Sequence, residues 1–173
     1  FLGVRRLRVS QLVSRVLSTE VEGNAMDALP ARLEIPLESE TVANVEAAYR
    51  ANLEQIMALA SRREIPVLLT NVACNLRDQS PLRSCAAELV AEKTAGRWQE
   101  LFHQSERSAV AGDHREALTF LDQAAAIFDD YAILTYRRAQ SLEHLKRWDE
   151  ARRLYALARD QDCCRFRAPS SFQ

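Results

Sequence analysis

The sequence predicts an α/β segment in residues 1–83, part of a parallel sheet with helices, followed by an all-α region of helical hairpins. Helix is therefore expected to dominate the chain. A continuous apolar run at 65–74 follows an amphipathic helical pattern, which is typical of a buried central strand. After residue 84 the apolar residues recur at helical spacing, and only four Gly and five Pro are present in 173 residues.

The N-terminal part, 1–40, is predicted to contain one helix and one long loop. Residues 1–17 carry an apolar face with arginines mostly elsewhere, which indicates an amphipathic helix with a solvated basic side or, alternatively, one that meets a membrane surface or an anionic ligand. Residues 18–40 lack a period and contain Gly23 and two prolines, so a loop is predicted, either a lid or disordered. Because the chain starts at Phe1 without a leader, we expect an internal fragment of a longer protein, and its compartment stays open.

A helix, a strand and a polar loop follow one another in the next part of the chain. Apolar residues at helical spacing predict a helix at 41–62, which with the strand at 65–74 makes half of a βαβ unit. Ligands of such sheets bind beyond the carboxyl ends of the strands, so Asn75, Arg77 and Asp78 are substrate-pocket candidates. The alternative is that the two short polar residues build the turn and the arginine pairs locally.

The second half of the chain contains an internal repeat whose period, about 34 residues, is that of tetratricopeptide (TPR) repeats. The sequence predicts a helical region at 84–162, with repeats at about 98–131 and 132–165. A further helix is expected at 84–95, and 163–173 returns toward the α/β part. The predicted packing positions are Ala117, Leu121, Ala124, Ala139, Ala151, Tyr155 and Ala158. Because two repeats seldom bury a continuous core, we expect them to dock on neighbouring structure.

Charge and composition argue against several kinds of partner. A net charge of −1 gives no electrostatic basis for binding nucleic acid. No apolar run approaches the roughly 18 residues of a membrane-spanning helix. His103, His114 and His144 lack the spacing of metal ligands, so neither a metal nor another cofactor is predicted. The cysteines have no C-x-x-C spacing and are expected to be reduced thiols; they are Cys74, Cys85, Cys163 and Cys164.

Two serines and two tryptophans are assigned structural roles. Ser80 and Ser84 do not lie in a nucleophile elbow, so they are predicted to be turn or cap residues. Trp98 and Trp148 are predicted to pack at helix starts.

The apolar run, the polar loop and the repeat pair together resemble bacterial SGNH (GDSL-like) hydrolases with a tetratricopeptide insertion in a flavodoxin-like fold. The matching stretches are Tyr49-Arg50-Ala51-Asn52-Leu53, Ile65-Pro66-Val67-Leu68-Leu69, Asn75-Leu76-Arg77-Asp78 and Arg165-Phe166-Arg167-Ala168. The resemblance implies an esterase in which a serine attacks the ester carbonyl and a histidine takes its proton. It also implies that the catalytic serine lies before residue 1 and the Asp-x-x-His pair after residue 173. No catalytic residue is therefore expected in this chain, which is predicted to be inactive alone.

The functional prediction is the middle portion of an SGNH-type serine ester hydrolase whose TPR pair serves docking or protein interaction. Its expected partners are the missing flanking segments of its own α/β domain, and a protein or peptide on the TPR face. One alternative is a tetratricopeptide adaptor without catalysis. A third possibility is a degenerate hydrolase fold kept for carbohydrate binding.

Overall fold

The computed structural model describes residues 34–71, 73–84 and 92–172. These residues form five α-helices and a short 3-10 helix at Ser170–Phe172, and pair as strands only in two isolated bridges, so the helix-dominated prediction is confirmed. No helix in this part of the chain is long and apolar enough to cross a membrane. The predicted helix at 1–17, most of the predicted loop at 18–40 and Cys85 lie outside the described residues.

The first described helix, α1, spans Glu40–Arg62 and covers the predicted helix at 41–62. Ser39 caps its start, because the side chain accepts a hydrogen bond of 3.3 Å from the Val42 amide. Most of the apolar face of α1 is exposed to solvent. Val42 is its buried residue, whereas Val45 and Ile56 are 55% and 56% exposed. The apolar face of α1 therefore has little to pack against within the described residues.

The prediction of a strand at 65–74 needs correction, because no strand forms there in this structure. The described parts, 65–71 and 73–74, have no β pairing, and Leu68 is 88% exposed. A central strand is stable only when neighbouring strands take up its backbone N–H and C=O groups. The described residues contain no such neighbour, so this apolar run lies at the surface.

Four helices follow and pack as two antiparallel hairpins. They are α2 (Glu92–Val110), α3 (His114–Ile127), α4 (Ala132–His144) and α5 (Trp148–Gln161). Helix α2 packs against α3, α3 against α4, and α4 against α5. The ends of α2 and α4 are separated by one full repeat period, as are the starts and the ends of α3 and α5. The separate helix predicted at 84–95 is not seen in its described part, since 92–95 begin α2.

The two hairpins turn in the same way. Gly112 has φ +84° in the first turn and Lys146 has φ +64° in the second, at equivalent positions of the two repeats. A left-handed residue reverses the chain after a helix, and glycine adopts this conformation without strain. In the first turn Asp113 also caps α3 by accepting from the Glu116 amide at 2.9 Å. The repeat is therefore present in the backbone as well as in the apolar pattern.

The core lies between these helices. Small residues at the contacts let the helix axes approach, and larger ones fill the space between them. All seven predicted packing positions are buried with at most 7% of their surface exposed: Ala117, Leu121, Ala124, Ala139, Ala151, Tyr155 and Ala158.

The segments that flank the helical region pair with each other at a neck, which we define as residues 82–84 and 162–164. The backbone pairs that form it are the antiparallel bridge of Ser84 with Asp162, and the Cys163 amide with the Arg83 carbonyl at 3.1 Å. Cys163 is disulfide-bonded, so the prediction of reduced thiols is wrong at this position, whereas Cys164 is a buried free thiol.

A buried carboxylate holds the neck together. Asp162 is 3% exposed. Its side chain accepts from three backbone amides at 2.9 to 3.1 Å, those of Leu82, Arg83 and Cys164. Its Oδ2 atom is also 3.4 Å from Nη2 of Arg167, whose side chain is 8% exposed. A buried charge of this kind is tolerated because its hydrogen-bonding capacity is filled.

Candidate binding site

The polar loop 75–79 lies on the second helical hairpin and not at the edge of a sheet. Leu76 packs against the apolar cluster between α4 and α5. The Tyr136 hydroxyl donates a hydrogen bond to the carbonyl oxygen of Arg77. The loop is thus fixed by one apolar contact and one backbone hydrogen bond, and it rests on the surface of the hairpin.

Glu143 connects the loop to both helices of the hairpin. Its Oε1 atom accepts from Nε of Arg77 at 2.6 Å, and its Oε2 atom accepts from the Tyr155 hydroxyl at 2.7 Å. The carboxylate is 14% exposed, whereas the Arg77 side chain is 68% exposed. Because the arginine is exposed to solvent, this ion pair contributes little to the stability of the fold, and its main effect is to orient the loop.

Burial makes both tyrosine hydroxyls harder to ionise than free phenols. It raises the pKa of the Tyr155 hydroxyl, and the hydrogen bond to Glu143 raises that pKa further. Burial likewise raises the pKa of Tyr136. Both hydroxyls therefore remain hydrogen-bond donors across the ordinary pH range, and the loop stays held.

Beside the loop lies an open depression of about 470 Å³, which we call the binding groove. It is lined by Leu76, Arg77, Glu143, Trp148, Ala151, Arg152 and Tyr155. Trp148 is 59% exposed, so the prediction that it packs is wrong. Trp98 does pack, at 8% exposed, and its indole N–H donates to the Phe128 carbonyl at 3.1 Å. The difference leaves one large aromatic surface open to a ligand.

The binding groove continues into a depression lined in part by Asp78, Gln140, His144 and Lys146. Arg152 and Lys146 form no ion pair with any described residue, while Asp78 contributes one carboxylate. An indole face beside free cations suits a peptide with apolar and acidic side chains.

The substrate-pocket candidates have different roles here. Asn75 builds the turn, because its Oδ1 atom accepts from the Asp78 amide at 3.0 Å. Arg77 pairs with a residue 66 positions away, which the local alternative did not foresee. Arg77 and Asp78 line the binding groove or its continuation. Asn75 does not line them.

A second depression of about 340 Å³ lies between the two hairpins. His114 and His144 stack across it with ring centroids 3.8 Å apart and planes 2° from parallel. The Nδ1 atom of His114 is buried and has no hydrogen-bond partner. Burial lowers the pKa of His114, and the neighbouring His144 lowers it further. The stack therefore favours the neutral form of the His114 ring.

The described residues contain no group of three or more His, Cys, Asp or Glu side chains that could hold a metal ion. Ser84 accepts a hydrogen bond of 3.4 Å from the Ile133 amide in the first turn of α4, whose own N-cap residue is Tyr131. Ser80 is exposed.

Comparison with known protein families, characterised proteins and solved structures finds no match.

Several site residues were missed from the sequence. Tyr136 and Glu143 are seven positions apart on α4 and therefore share one helical face, which was the available signal. Asp162 and Arg167 had no such signal, because a charged residue in a short return segment normally indicates solvent exposure.

Proposed function

We propose that residues 92–161 are a tetratricopeptide-like protein-docking module, carried as an insertion by a larger fold. The observation that carries this proposal is the neck. Because the flanking segments 82–84 and 162–164 lie side by side, the region between them can be added to another fold with little disturbance of its path. The common spacing of the helix ends and the matching turns support the repeat assignment.

The binding groove is the surface that we assign to the partner. Interfaces are enriched in exposed aromatic residues and arginine, and here Trp148 and Arg152 lie together on α5. The Arg77–Glu143 pair fixes one wall, which reduces the ordering cost of binding. The ligand that fits is an extended peptide segment with apolar and acidic side chains.

Selection of random peptides on the intact chain tests this proposal. We expect enriched peptides to combine an aromatic or aliphatic residue with acidic residues, and to bind at least tenfold more weakly to Trp148→Ala and Arg152→Ala. Leu157→Ala is the matched control, because Leu157 is exposed on α5 but does not line the groove. Peptides that bind all three variants equally would contradict the groove assignment.

A second proposal concerns the fold that carries the insertion. We propose an SGNH-type ester hydrolase whose sheet strands and catalytic groups lie on other segments. The observation that favours it is the exposed apolar surface of α1 together with the run at 65–69, where Ile65, Leu68 and Leu69 are 54%, 88% and 59% exposed. A helix followed by a continuous apolar run suits the outer layer and central strand of a parallel sheet.

Hydrogen exchange distinguishes this hydrolase from a free-standing adaptor. The amides of residues 67–71 should exchange rapidly in this chain and become protected when a sheet-bearing segment is added. The chain alone should not hydrolyse p-nitrophenyl acetate above background. Rapid exchange in the longer protein would support the adaptor, and serine-dependent turnover by this chain would contradict the absence of catalytic groups.

A further inference from the structure

An apolar pocket of about 250 Å³ lies between α1 and the segment 165–172, away from the binding groove. Its apolar lining consists of Ile35, Val42, Val45, Ala168, Pro169 and Phe172. The ring of Phe172 contacts Tyr49 with centroids 5.5 Å apart, which ties the segment to α1. The remaining lining residues are Thr41, Arg165 and Arg167.

The two arginines differ in how their charge is balanced. Arg167 reaches the carboxylate of Asp162 and donates to the Gln79 carbonyl at 2.8 Å. Arg165 donates only to carbonyl oxygens, to Ile35 at 2.8 Å and to Asp160 at 2.6 Å. No carboxylate among the described residues lies within ion-pair distance of it.

A half-buried cation without a paired anion is costly, because burial removes water and no contacting charge replaces it. The same burial lowers the pKa of the Arg165 guanidinium, and the more distant carboxylates of Asp162 and Asp160 offset only part of that change. The two carbonyl hydrogen bonds hold the side chain at the pocket wall, and the Nη2 group receives no acceptor from the described residues. The pocket thus offers a fixed guanidinium donor at the side of an apolar space.

We propose that this pocket binds a small amphiphilic carboxylate, with the anionic head on Arg165 and the aliphatic tail against Val42 and Val45. Guanidinium and carboxylate form strong charge-assisted hydrogen bonds, and the Thr41 hydroxyl offers a further donor. Since a water molecule takes up roughly 30 Å³ in the liquid, the pocket has room for on the order of eight water-sized groups, which is the size of a short acyl chain. The proposal does not depend on the docking function, because the pocket and the binding groove share no lining residue.

Calorimetric titration with octanoate tests the proposal, with octanol as the uncharged probe of the same length. We expect saturable octanoate binding to the intact chain and at least tenfold weaker binding of octanol. Arg165→Gln should weaken octanoate binding about tenfold or more, whereas Arg153→Gln, at an exposed arginine that lines neither the pocket nor the binding groove, should not change it.

A second variant covers the case in which Arg165→Gln disturbs the fold. Val45 is 55% exposed on α1 and lines the pocket, so Val45→Trp fills the space with little effect on folding. Leu59→Trp, at a residue 53% exposed toward the other end of α1, is its control. We expect Val45→Trp to abolish octanoate binding and Leu59→Trp to leave it unchanged. Unchanged binding in Val45→Trp, equal binding of octanol, or no saturation by octanoate would each overturn the proposal.

Discussion

The helical region at 92–161 and the stretch at 40–74 are both rich in apolar residues, yet they bury them very differently. Leu134 in the first is fully buried, whereas Leu68 in the second is 88% exposed. Each helix of a hairpin finds its partner in the next helix along the chain. A central strand needs partners that can be distant in sequence. An apolar pattern in the sequence therefore leads to burial only when another part of the same chain supplies the surface that covers it.

The neck gives the largest expected effect, because it joins these two regions. Asp162→Ala should lower the free energy of unfolding by about 3–5 kcal/mol, since it leaves three amides without an acceptor and a buried arginine without its carboxylate. Denaturant unfolding monitored by circular dichroism measures the change. Asp130→Ala, at an exposed aspartate, is the control. A loss below about 1 kcal/mol would show that the carboxylate does not hold the neck together.

Removing one leucine from each region tests the comparison directly. Leu134→Ala should cost about 2–5 kcal/mol through lost burial and the cavity that it leaves. Leu68→Ala should change the stability by less than about 0.5 kcal/mol, because its side chain already faces water. The midpoints of urea unfolding of the two variants measure these changes in stability. Similar losses in both would mean that the run at 65–69 is packed in solution.

Adding volume to one alanine in each region is the next test. Ala117→Leu should destabilise the protein by about 1–3 kcal/mol through overpacking at a fully buried helix contact. Ala51→Leu on the exposed surface of α1 should stay within about 0.5 kcal/mol. Thermal melting separates the two. An unchanged melting curve for Ala117→Leu would contradict the close packing of the helices at this position.

A smaller gain is expected at the second hairpin turn. Lys146→Gly should stabilise the chain by about 1 kcal/mol, because φ is +64° at this lysine and glycine adopts that conformation without strain. Gly112→Ala at the equivalent turn should have the opposite sign. No atom lies within 4 Å of an added Cβ there, so its cost is the backbone strain alone. Differential scanning calorimetry of both variants measures this, and equal signs would contradict it.

The smallest expected effect is a pH dependence from the stacked histidines. Burial lowers the pKa of His114 in the folded chain, so the unfolded chain binds its proton more readily. The contribution of His114 to stability is thus complete above its unfolded value of about 6.5 and falls as the pH drops from there through the lowered pKa. His114→Gln should lose less stability than the unsubstituted chain between about pH 7 and pH 5.5. If the free energy of unfolding of His114→Gln and of the unsubstituted chain fell equally with pH, His114 would be excluded as the cause.

The helical repeat could be predicted from the sequence because its determinants are local. Alanines at Ala117 and Ala151 mark the helix contacts, and the turns before them recur at the same spacing. The candidate site was found only in part. The polar loop containing Arg77 was singled out as a place where functional side chains gather, and it does line the binding groove. Its position was wrong, because its partner Glu143 lies 66 residues further along the chain.

By itself, the sequence determined the helices of the two hairpins and how they pair, since propensity and periodicity act over a few turns. Only the tertiary structure decided that the loop 75–79 rests on α4 and α5, that Asp162 is buried and that Trp148 stays exposed. These outcomes depend on which distant segments meet. Contacts between distant segments are chosen by the balance of packing, desolvation and chain entropy over the whole fold, and no local pattern encodes that balance.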